Sequence, residues 1–218
     1  FRALTFDCYG TLIDWEGGIT RAFVAAAGRD GVHLEAATVL DAYLAMERVV
    51  EGETYRSYRD ILMETARRVA ARLGWPLEPA RARFLPESLG DWPPFSDTNP
   101  ALQRLAAAGY RLGILSNVDD ELLAATRRHL AVPFEIIVTA EQVKSYKPAP
   151  AHWHEARRRI GGARWLHAAQ SYYHDVTAAR GLGVPVAWIN RHDQPVGSAG
   201  PPDRTLRNLT ELADWLAP

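Results

Sequence analysis

The sequence predicts an α/β protein with a Rossmann-like parallel sheet, and the periodicity of its apolar residues is the main reason for this expectation. After residue 100, short apolar runs alternate with helical segments, which is typical of crossover units in a parallel sheet. These runs are apolar almost throughout, as are strands that are buried on both faces. Between the first apolar run and residue 90 the periodicity is helical instead. We therefore expect one parallel sheet that is interrupted after its first strand by an all-helical domain.

The first predicted element is a short buried strand at residues 3–7, which ends shortly before the turn-prone Gly10. From residue 15 to about residue 89 the apolar positions follow helical spacing, with glycines between the helices. A proline-rich segment at residues 86–100 marks a stiff return connection. These changes predict a core domain at residues 1–14 and 97–218, and a helical cap domain with its linkers at residues 15–96.

Four further strands, separated by helices, are expected in the second half of the chain. In open α/β sheets, ligands bind outside the carboxyl ends of the strands, so the residues that follow each strand are the candidates for a functional site. The predicted strands cover residues 110–115, 134–138, 165–169 and 184–189. The predicted helices cover residues 101–108, 120–130, 150–160, 176–181 and 209–216.

Composition restricts the partners that the protein is expected to have. The 25 basic and 26 acidic side chains give a formal net charge of -1, without the basic excess of a nucleic-acid-binding protein. No apolar run is long enough to cross a bilayer, and no signal peptide is recognised. The single cysteine, Cys8, cannot form an intramolecular disulfide, which favours a reducing compartment. We expect a cytoplasmic protein that binds neither nucleic acid nor membranes, and we leave a homodimer open.

Reactive side chains stand in four segments, each of which follows a predicted strand. In sequence order these segments resemble the four motifs of the haloacid dehalogenase superfamily, and together they span nearly the whole chain. One such motif alone would be weak, because an aspartate after a strand is common, but the ordered set is specific. The resemblance implies the fold of that superfamily and identifies Asp7 as a nucleophile. The segments are Asp-Cys-Tyr-Gly-Thr-Leu at 7–12, Leu-Ser-Asn at 115–117, Tyr-Lys-Pro at 146–148, and Asp175 with Ala178, Ala179 and Gly183.

The chemistry of these side chains is coherent with a nucleophilic aspartate. A carboxylate is a weak nucleophile, so it must be aimed and partly desolvated. Lys147 can keep Asp7 ionised, and Thr11 can hydrogen-bond one of its oxygens. Asp175 can orient Lys147 or a water molecule. We predict a pocket between core and cap that is lined by Asp7, Tyr9, Thr11, Ser116, Asn117, Lys147 and Asp175.

Ser116 and Asn117 are short hydrogen-bonding side chains suited to an anionic group of a substrate. Both residue types also favour helix caps, so a capping role stays open for them. The same alternative holds for Asp175, which precedes a predicted helix.

Two positions separate dehalogenases from phosphatases within the superfamily. Its phosphatases carry a second aspartate two residues after the nucleophile, where it acts as a general acid, and Tyr9 stands there in this chain. They also carry an acid five residues before the last aspartate, which helps to bind Mg²⁺, and Gln170 stands there. The sequence therefore predicts a site without a cofactor, and Mg²⁺ is implied only if the protein is a phosphatase.

The segment around Tyr9 is similar to the 2-haloacid dehalogenase branch, and so is Trp-Ile-Asn-Arg at 188–191. In that branch the aspartate displaces halide from carbon, and the resulting ester is hydrolysed at the aspartate carbonyl. The resemblance implies a small anionic substrate. This chain departs from the pattern at three positions, where that branch has serine, asparagine and tyrosine. Gln170, Tyr172 and Trp153 stand there, and with Tyr9, Ser116 and Asn117 they are the candidate substrate-binding residues.

Other assignments stay open at this point. The branch uses a cap arginine to bind substrate, and Arg48, Arg56 and Arg59 lie in the right region. His174 is either a group that titrates near neutrality or a packed residue, and the remaining histidines are expected to be structural or exposed. Two alternative functions are a Mg²⁺-dependent phosphatase that acts on a small phosphomonoester and a metal-free hydrolase that opens another activated carbon centre. A third alternative is a binding protein without activity, but the presence of Asp7 and Lys147 argues against it.

Overall fold

The computed structural model describes residues 1–217, and contacts between residues divide the chain into two compact units. The first unit contains Phe1–Asp14, Pro94–Asn117 and the residues from Arg128 onward. The second contains Trp15–Pro93 and Val118–Arg127. No helix in residues 1–217 has both the length and the apolar character that a membrane span requires.

A six-stranded parallel sheet forms the centre of the first unit, in the order β3-β2-β1-β4-β5-β6. β1 pairs with β2 on one side and with β4 on the other, so the direction in which strands are added reverses between β1 and β4. In doubly wound sheets, ligands bind at this point, outside the carboxyl ends of the strands. The strands are β1 (Ala3–Phe6), β2 (Arg111–Ser116), β3 (Ile136–Thr139), β4 (Trp165–Ala169), β5 (Val186–Ile189) and β6 (Arg204–Leu206).

Helices surround this sheet, and apolar side chains fill the space between the layers. All four residues of β1 are buried, as are all of β4 and β5, which explains why the sequence is largely apolar there. A π-helical turn at Tyr172–Val176 precedes α9. The helices of the first unit are α5 (Thr98–Ala107), α7 (Ala140–Val143), α8 (Ala151–Ile160), α9 (Thr177–Gly181) and α10 (Leu209–Leu216).

The second unit is helical throughout, and no residue between 15 and 93 belongs to a strand. Its core contains an aromatic cluster in which the buried Phe23 ring lies 5.1 Å from the Phe84 ring and 6.3 Å from the Trp75 ring, measured between centroids. The helices of this unit are α1 (Trp15–Gly28), α2 (Ala36–Glu51), α3 (Tyr58–Arg72), α4 (Phe84–Ser88) and α6 (Asp120–Thr126), with 3-10 turns at Pro79–Arg83 and Leu89–Asp91.

The structure differs from the sequence-based prediction at several places, among them β3, which begins at Ile136 rather than at residue 134, and α7, which was not predicted. β6 was missed, because a three-residue edge strand with two exposed residues has no apolar run. β5 begins at Val186 rather than at residue 184, since Pro185 cannot donate to the ladder. The helix expected at residues 120–130 ends at Thr126 and gives way to a 3-10 turn.

A further difference concerns residues 118–127, which belong to the compact helical unit although the sequence-based prediction assigned them to the core. The side chain of Asp119 explains part of this grouping. Its two carboxylate oxygens accept hydrogen bonds of 2.8 Å from the backbone N–H groups of Tyr58 and Arg59 in the first turn of α3. A carboxylate at this position satisfies donors that the helix leaves unpaired and also interacts favourably with the helix dipole.

Candidate active site

Asp7 follows β1 directly, at the carboxyl edge of the sheet. Its backbone N–H donates to the carbonyl oxygen of Ala168 on β4, 3.1 Å away, which extends the ladder to Asp7. The residue is only 8% exposed. Burial raises the pKa of the Asp7 carboxyl above its ordinary value, although the adjacent Lys147 opposes this effect.

The turn after β1 holds the Asp7 side chain in place. Thr11 Oγ1 donates to Asp7 Oδ2 at 3.0 Å and accepts a hydrogen bond of 2.9 Å from the backbone N–H of Gln170. Gly10 has a φ of 93°, a conformation that favours glycine, and its N–H donates to the carbonyl oxygen of Ile13. From the other side, the Arg191 guanidinium donates to the carbonyl oxygen of Thr11 at 2.9 Å.

Lys147 lies between two carboxylates. Its ammonium group donates to Asp7 Oδ1 at 2.9 Å, to Asp175 Oδ1 at 2.7 Å and to the carbonyl oxygen of Leu115 at 2.8 Å, so all three N–H donors are used. The residue is 2% exposed. Burial alone would lower the pKa of Lys147, but Asp175 and Asp7 raise it above its ordinary value. Lys147 is therefore a positive charge shared by Asp7 and Asp175.

Asn117 fixes the backbone on which Lys147 is carried. Its side-chain oxygen accepts from the Lys147 N–H at 2.7 Å, and its side-chain nitrogen donates to the Lys147 carbonyl oxygen at 3.1 Å. The sequence suggested Asn117 as a substrate ligand, with a helix cap as the alternative. The structure shows a third use, in which both ends of the amide position Lys147.

Asp175 lies in the π-helical turn after β4 and is 1% exposed. Its Oδ1 atom accepts from Lys147 and from His167 Nε2, at 2.7 and 3.0 Å. Burial opposes ionisation, but Lys147 and then His167 hold the pKa of Asp175 well below its usual range. Asp175 Oδ2 is buried and has no hydrogen-bond partner among residues 1–217.

Ser116 ends β2 with a fully buried side chain. Its hydroxyl group makes no hydrogen bond within the described part of the chain, while its carbonyl oxygen lies 3.2 Å from His152 Nε2. Burial lowers the pKa of His152 to about 4, so this histidine is neutral and donates to Ser116. The Ser116 hydroxyl, Asp175 Oδ2 and His152 Nδ1 are buried polar atoms without a hydrogen-bond partner among residues 1–217, and the first two are available to a ligand or water.

Four other predicted residues have different surroundings. Gln170 follows β4 and is half-buried, and its carbonyl oxygen accepts from Trp188 Nε1 at 2.9 Å. The Tyr172 hydroxyl group lies 2.6 Å from the carbonyl oxygen of Gly200, so it anchors the loop at residues 197–200 and is not among the contacts of the carboxylates. Trp153 is buried in the core of the first unit. Tyr9 is half-buried and forms an isolated parallel bridge with Ile13.

The structure also locates the three candidate arginines, whose role in substrate binding the sequence left open. Arg48 is exposed on α2, Arg56 forms an ion pair with Glu53, and Arg59 forms one of 3.2 Å with Glu121. A substrate role for any of these arginines stays a prediction. In the first unit, His174 Nδ1 lies 3.1 Å from Ser171 Oγ.

Three buried residues that were not predicted to belong to the site join this cluster. His167 on β4 contacts Asp175, and its Nδ1 atom lies 2.8 Å from Thr5 Oγ1 on β1. Thr5 in turn accepts from Trp165 Nε1 at 2.6 Å. A histidine inside an otherwise apolar strand, and a threonine two residues before Asp7 on the same face of β1, were the available signals.

Comparisons with known proteins bear on the family and the fold of this chain. A model of the haloacid dehalogenase-like hydrolase family matches residues 1–183. The (S)-2-haloacid dehalogenase H-109 of Pseudomonas putida is 29% identical over 222 residues, which cover 99% of this chain and 97% of that protein. Among solved structures, the L-2-haloacid dehalogenase from Xanthobacter autotrophicus has a TM-score of 0.84 at 18% identity, covering 99% of this chain and 98% of that one.

The same fold occurs in a solved structure that contains magnesium. The putative HAD-hydrolase YfnB from Bacillus subtilis, bound to magnesium, has a TM-score of 0.83 at 17% identity, covering 99% of this chain and 98% of that one. The two solved structures therefore share the fold, and the need for a metal has to be judged from the side chains of this chain.

Proposed function

Since this chain belongs to the haloacid dehalogenase-like hydrolases, we propose that it hydrolyses the carbon–halogen bond of a small 2-halocarboxylic acid without a metal ion. Asp7 is the nucleophile in this proposal. The observation that carries it is the hydrogen-bonded set Asp7–Lys147–Asp175, in which one buried ammonium group joins two carboxylates. The similarity to (S)-2-haloacid dehalogenases over 99% of the chain supports the substrate class.

The first step forms an ester on Asp7. A carboxylate oxygen of Asp7 attacks the carbon that carries the halogen, a carbon–oxygen bond forms, and the carbon–halogen bond breaks with its electron pair leaving on halide. Halide departs as a stable anion, so no acid is needed at the position of Tyr9. Thr11 and Lys147 each hold one oxygen of Asp7 and thereby fix its direction of attack.

The second step is hydrolysis of the ester. Water attacks the carboxyl carbon of Asp7, and Asp175 Oδ2, which has no partner in residues 1–217, accepts a proton from that water. Once Asp7 is esterified it has lost its charge, so the Lys147 ammonium can stabilise the negative charge that develops on Oδ1. The hydroxy acid leaves, Asp7 returns as a carboxylate, and the net products are the hydroxy acid, halide and a proton.

The side chains of this site do not fit Mg²⁺, and no step above uses it. Mg²⁺ requires several hard oxygen ligands in octahedral geometry. Here Oδ1 of Asp7 and Oδ1 of Asp175 both accept from Lys147, whose positive charge would repel a cation bound between them. No group of three or more histidine, cysteine, aspartate and glutamate side chains within residues 1–217 is arranged to hold a metal ion.

A product assay in the presence of a chelator tests the proposal. Purified protein is incubated with EDTA and with a panel of short 2-halocarboxylic acids or small phosphomonoesters, and released halide and phosphate are measured. Halide release with catalytic turnover is expected. Phosphate release that appears only after Mg²⁺ is restored would replace the proposal with a phosphatase. Turnover of a non-halogenated activated carbon centre under EDTA would keep the mechanism and change the substrate.

A further inference from the structure

A line of buried hydrogen bonds continues from Asp175 across the sheet. His167 on β4 and Thr5 on β1 stand opposite each other in the parallel ladder, and their side chains meet at 2.8 Å. Trp165, two residues before His167, reaches the same Thr5 oxygen at 2.6 Å. His167 is fully buried, and its other ring nitrogen lies 3.0 Å from Asp175 Oδ1.

The hydrogen-bonding partners of Thr5 and His167 determine which of their atoms donate and which accept. The indole nitrogen of Trp165 can only donate, so Thr5 Oγ1 is an acceptor for it. The ionised Asp175 carboxylate can only accept, so His167 carries its hydrogen on Nε2 and donates it to Asp175. In a neutral ring Nδ1 then carries no hydrogen, and it accepts the hydroxyl hydrogen of Thr5. Burial lowers the pKa of His167, which agrees with a neutral ring that has one hydrogen.

This donor controls which oxygen of Asp175 remains available. Oδ1 already accepts from Lys147 and from His167, whereas Oδ2 has no partner within residues 1–217. The edge of the His167 ring is also fixed by packing, because the Trp153 ring lies 4.8 Å away at an angle of 75°. Two fixed donors on one oxygen restrict rotation of the Asp175 carboxylate about its terminal torsion, which is otherwise broad.

We propose that His167 is a positioning residue, which holds Asp175 so that Oδ2 is the acceptor for the water that hydrolyses the ester on Asp7. This inference rests on the proposed function. It assigns His167 to the second chemical step, because attack by Asp7 on the halogen-bearing carbon does not use Asp175 as a proton acceptor. Loss of the Nε2 donor should therefore slow ester hydrolysis more than ester formation.

Two substitutions separate this role from simple packing. The side-chain nitrogen of glutamine in His167→Gln can occupy the place of Nε2 and donate to Asp175. In His167→Asn the amide reaches only as far as Nδ1, so the donor to Asp175 is lost. Both variants remove part of the ring and should lose similar packing energy, and His154→Asn, at an exposed histidine on α8, is the control.

Rapid-quench kinetics with a halocarboxylic acid gives the decisive readout. His167→Asn should release about one halide per active site in a fast first phase and then turn over about 10- to 100-fold more slowly than wild type, as expected when a hydrogen bond to a charged group is lost. Mass spectrometry should then find the ester on Asp7. His167→Gln should recover most of the steady-state rate. A purely structural defect would lower the size of the first phase and leave the rates of both steps unchanged, which would overturn the proposal.

A second measurement does not depend on activity. Nitrogen-15 spectra of the histidine rings should show His167 with a bare Nδ1 and a protonated Nε2, and Thr5→Val should change that pattern because it removes the donor to Nδ1. Hydrogen on Nδ1 in the wild type would overturn the positioning role. If the wild type releases no halide, the proposed function fails and the assigned step with it. If halide is released but both steps slow equally in His167→Asn, only the role of His167 is wrong.

Discussion

At the scale of single residues, the charge of Asp7 is the feature on which the proposed chemistry depends. Asp7→Asn keeps the size of the side chain and leaves Lys147 paired with Asp175 at 2.7 Å. We therefore expect a folded protein whose turnover falls by at least about 1000-fold, since the nucleophile of a covalent mechanism is lost. Circular dichroism checks the fold, and halide release checks the activity.

Isotope labelling of the wild type tests the same residue without a substitution. In a single turnover in ¹⁸O water, the heavy oxygen should enter Asp7, because water attacks the aspartate carbonyl and the product receives an old carboxylate oxygen. Peptide mass spectrometry of the Asp7 segment measures this. Heavy oxygen in the product of the first turnover would mean that water attacks the substrate directly.

Lys147 is expected to stabilise the folded protein, to an extent that depends on pH. Lys147→Met leaves two buried carboxylates side by side without their cation, so the free energy of unfolding near pH 7 should fall by about 3–5 kcal/mol. Denaturant titration with tryptophan fluorescence measures the loss. Lys147→Arg keeps the charge and is the matched control, with a smaller loss expected.

The pH dependence of this loss follows from Asp175. The pKa of Asp175 is depressed in the folded protein, so its contribution to stability is present above its ordinary value of 3.8 and is lost as the pH falls through the lower folded value. Lys147→Met removes the first cause of that depression. The difference in stability between wild type and variant should therefore narrow below about pH 4. An equal difference at pH 7 and pH 3 would contradict the assignment.

At the scale of secondary-structure elements, β2 shows how closely the central strands pack. A Cβ atom added at Gly113 would lie 2.8 Å from both Cβ and the carbonyl oxygen of Ile136 on β3, and 3.1 Å from Thr5 Cγ2 on β1. Backbone atoms cannot move away as a flexible side chain can. Gly113→Ala should therefore lower the free energy of unfolding by about 1–3 kcal/mol, as overpacking does.

Gly162 provides the control for this prediction in the same unit. A Cβ atom there meets nothing within 4 Å, so Gly162→Ala should change stability by less than about 0.5 kcal/mol. Chemical denaturation of both variants under one condition compares them. Equal stabilities for Gly113→Ala and Gly162→Ala would show that β2 and β3 can separate without cost.

The elements also show why some of the site could be predicted from sequence and some could not. Asp7 directly follows β1, and Lys147 and Asp175 lie in the segments after β3 and β4, where polar residues interrupt an apolar pattern and can be recognised. Thr5 and His167 lie inside strands, and their meeting depends on the register between β1 and β4, which no local pattern reveals. Asn117 was recognised as a site residue, but its use as a clamp on the Lys147 backbone depends on a contact across thirty positions of the chain.

At the scale of the whole molecule, the balance of charge in the site bears on the choice between dehalogenase and phosphatase. The described cluster contains two carboxylates, one ammonium group and one neutral histidine, and Tyr9 and Gln170 stand where the phosphatases of the superfamily carry acids. This balance leaves little negative charge for a divalent cation. Lys147 neutralises one of the two carboxylate charges from within the cluster.

We therefore expect that Mg²⁺ neither supports turnover nor stabilises the protein. Exhaustive chelation should leave halide release unchanged, and stepwise addition of Mg²⁺ should not raise Tm, because an ion that binds only the folded state would stabilise it by mass action. Gln170→Asp is the matched variant, since it adds a carboxylate beside the turn that carries Asp175, and its Tm should rise with Mg²⁺. If the activity of the wild type disappears with chelator and returns with Mg²⁺, the protein is a Mg²⁺-dependent enzyme and the assignment is wrong. The ion would then have to bind beside the Lys147 ammonium group between Asp7 and Asp175, or displace it.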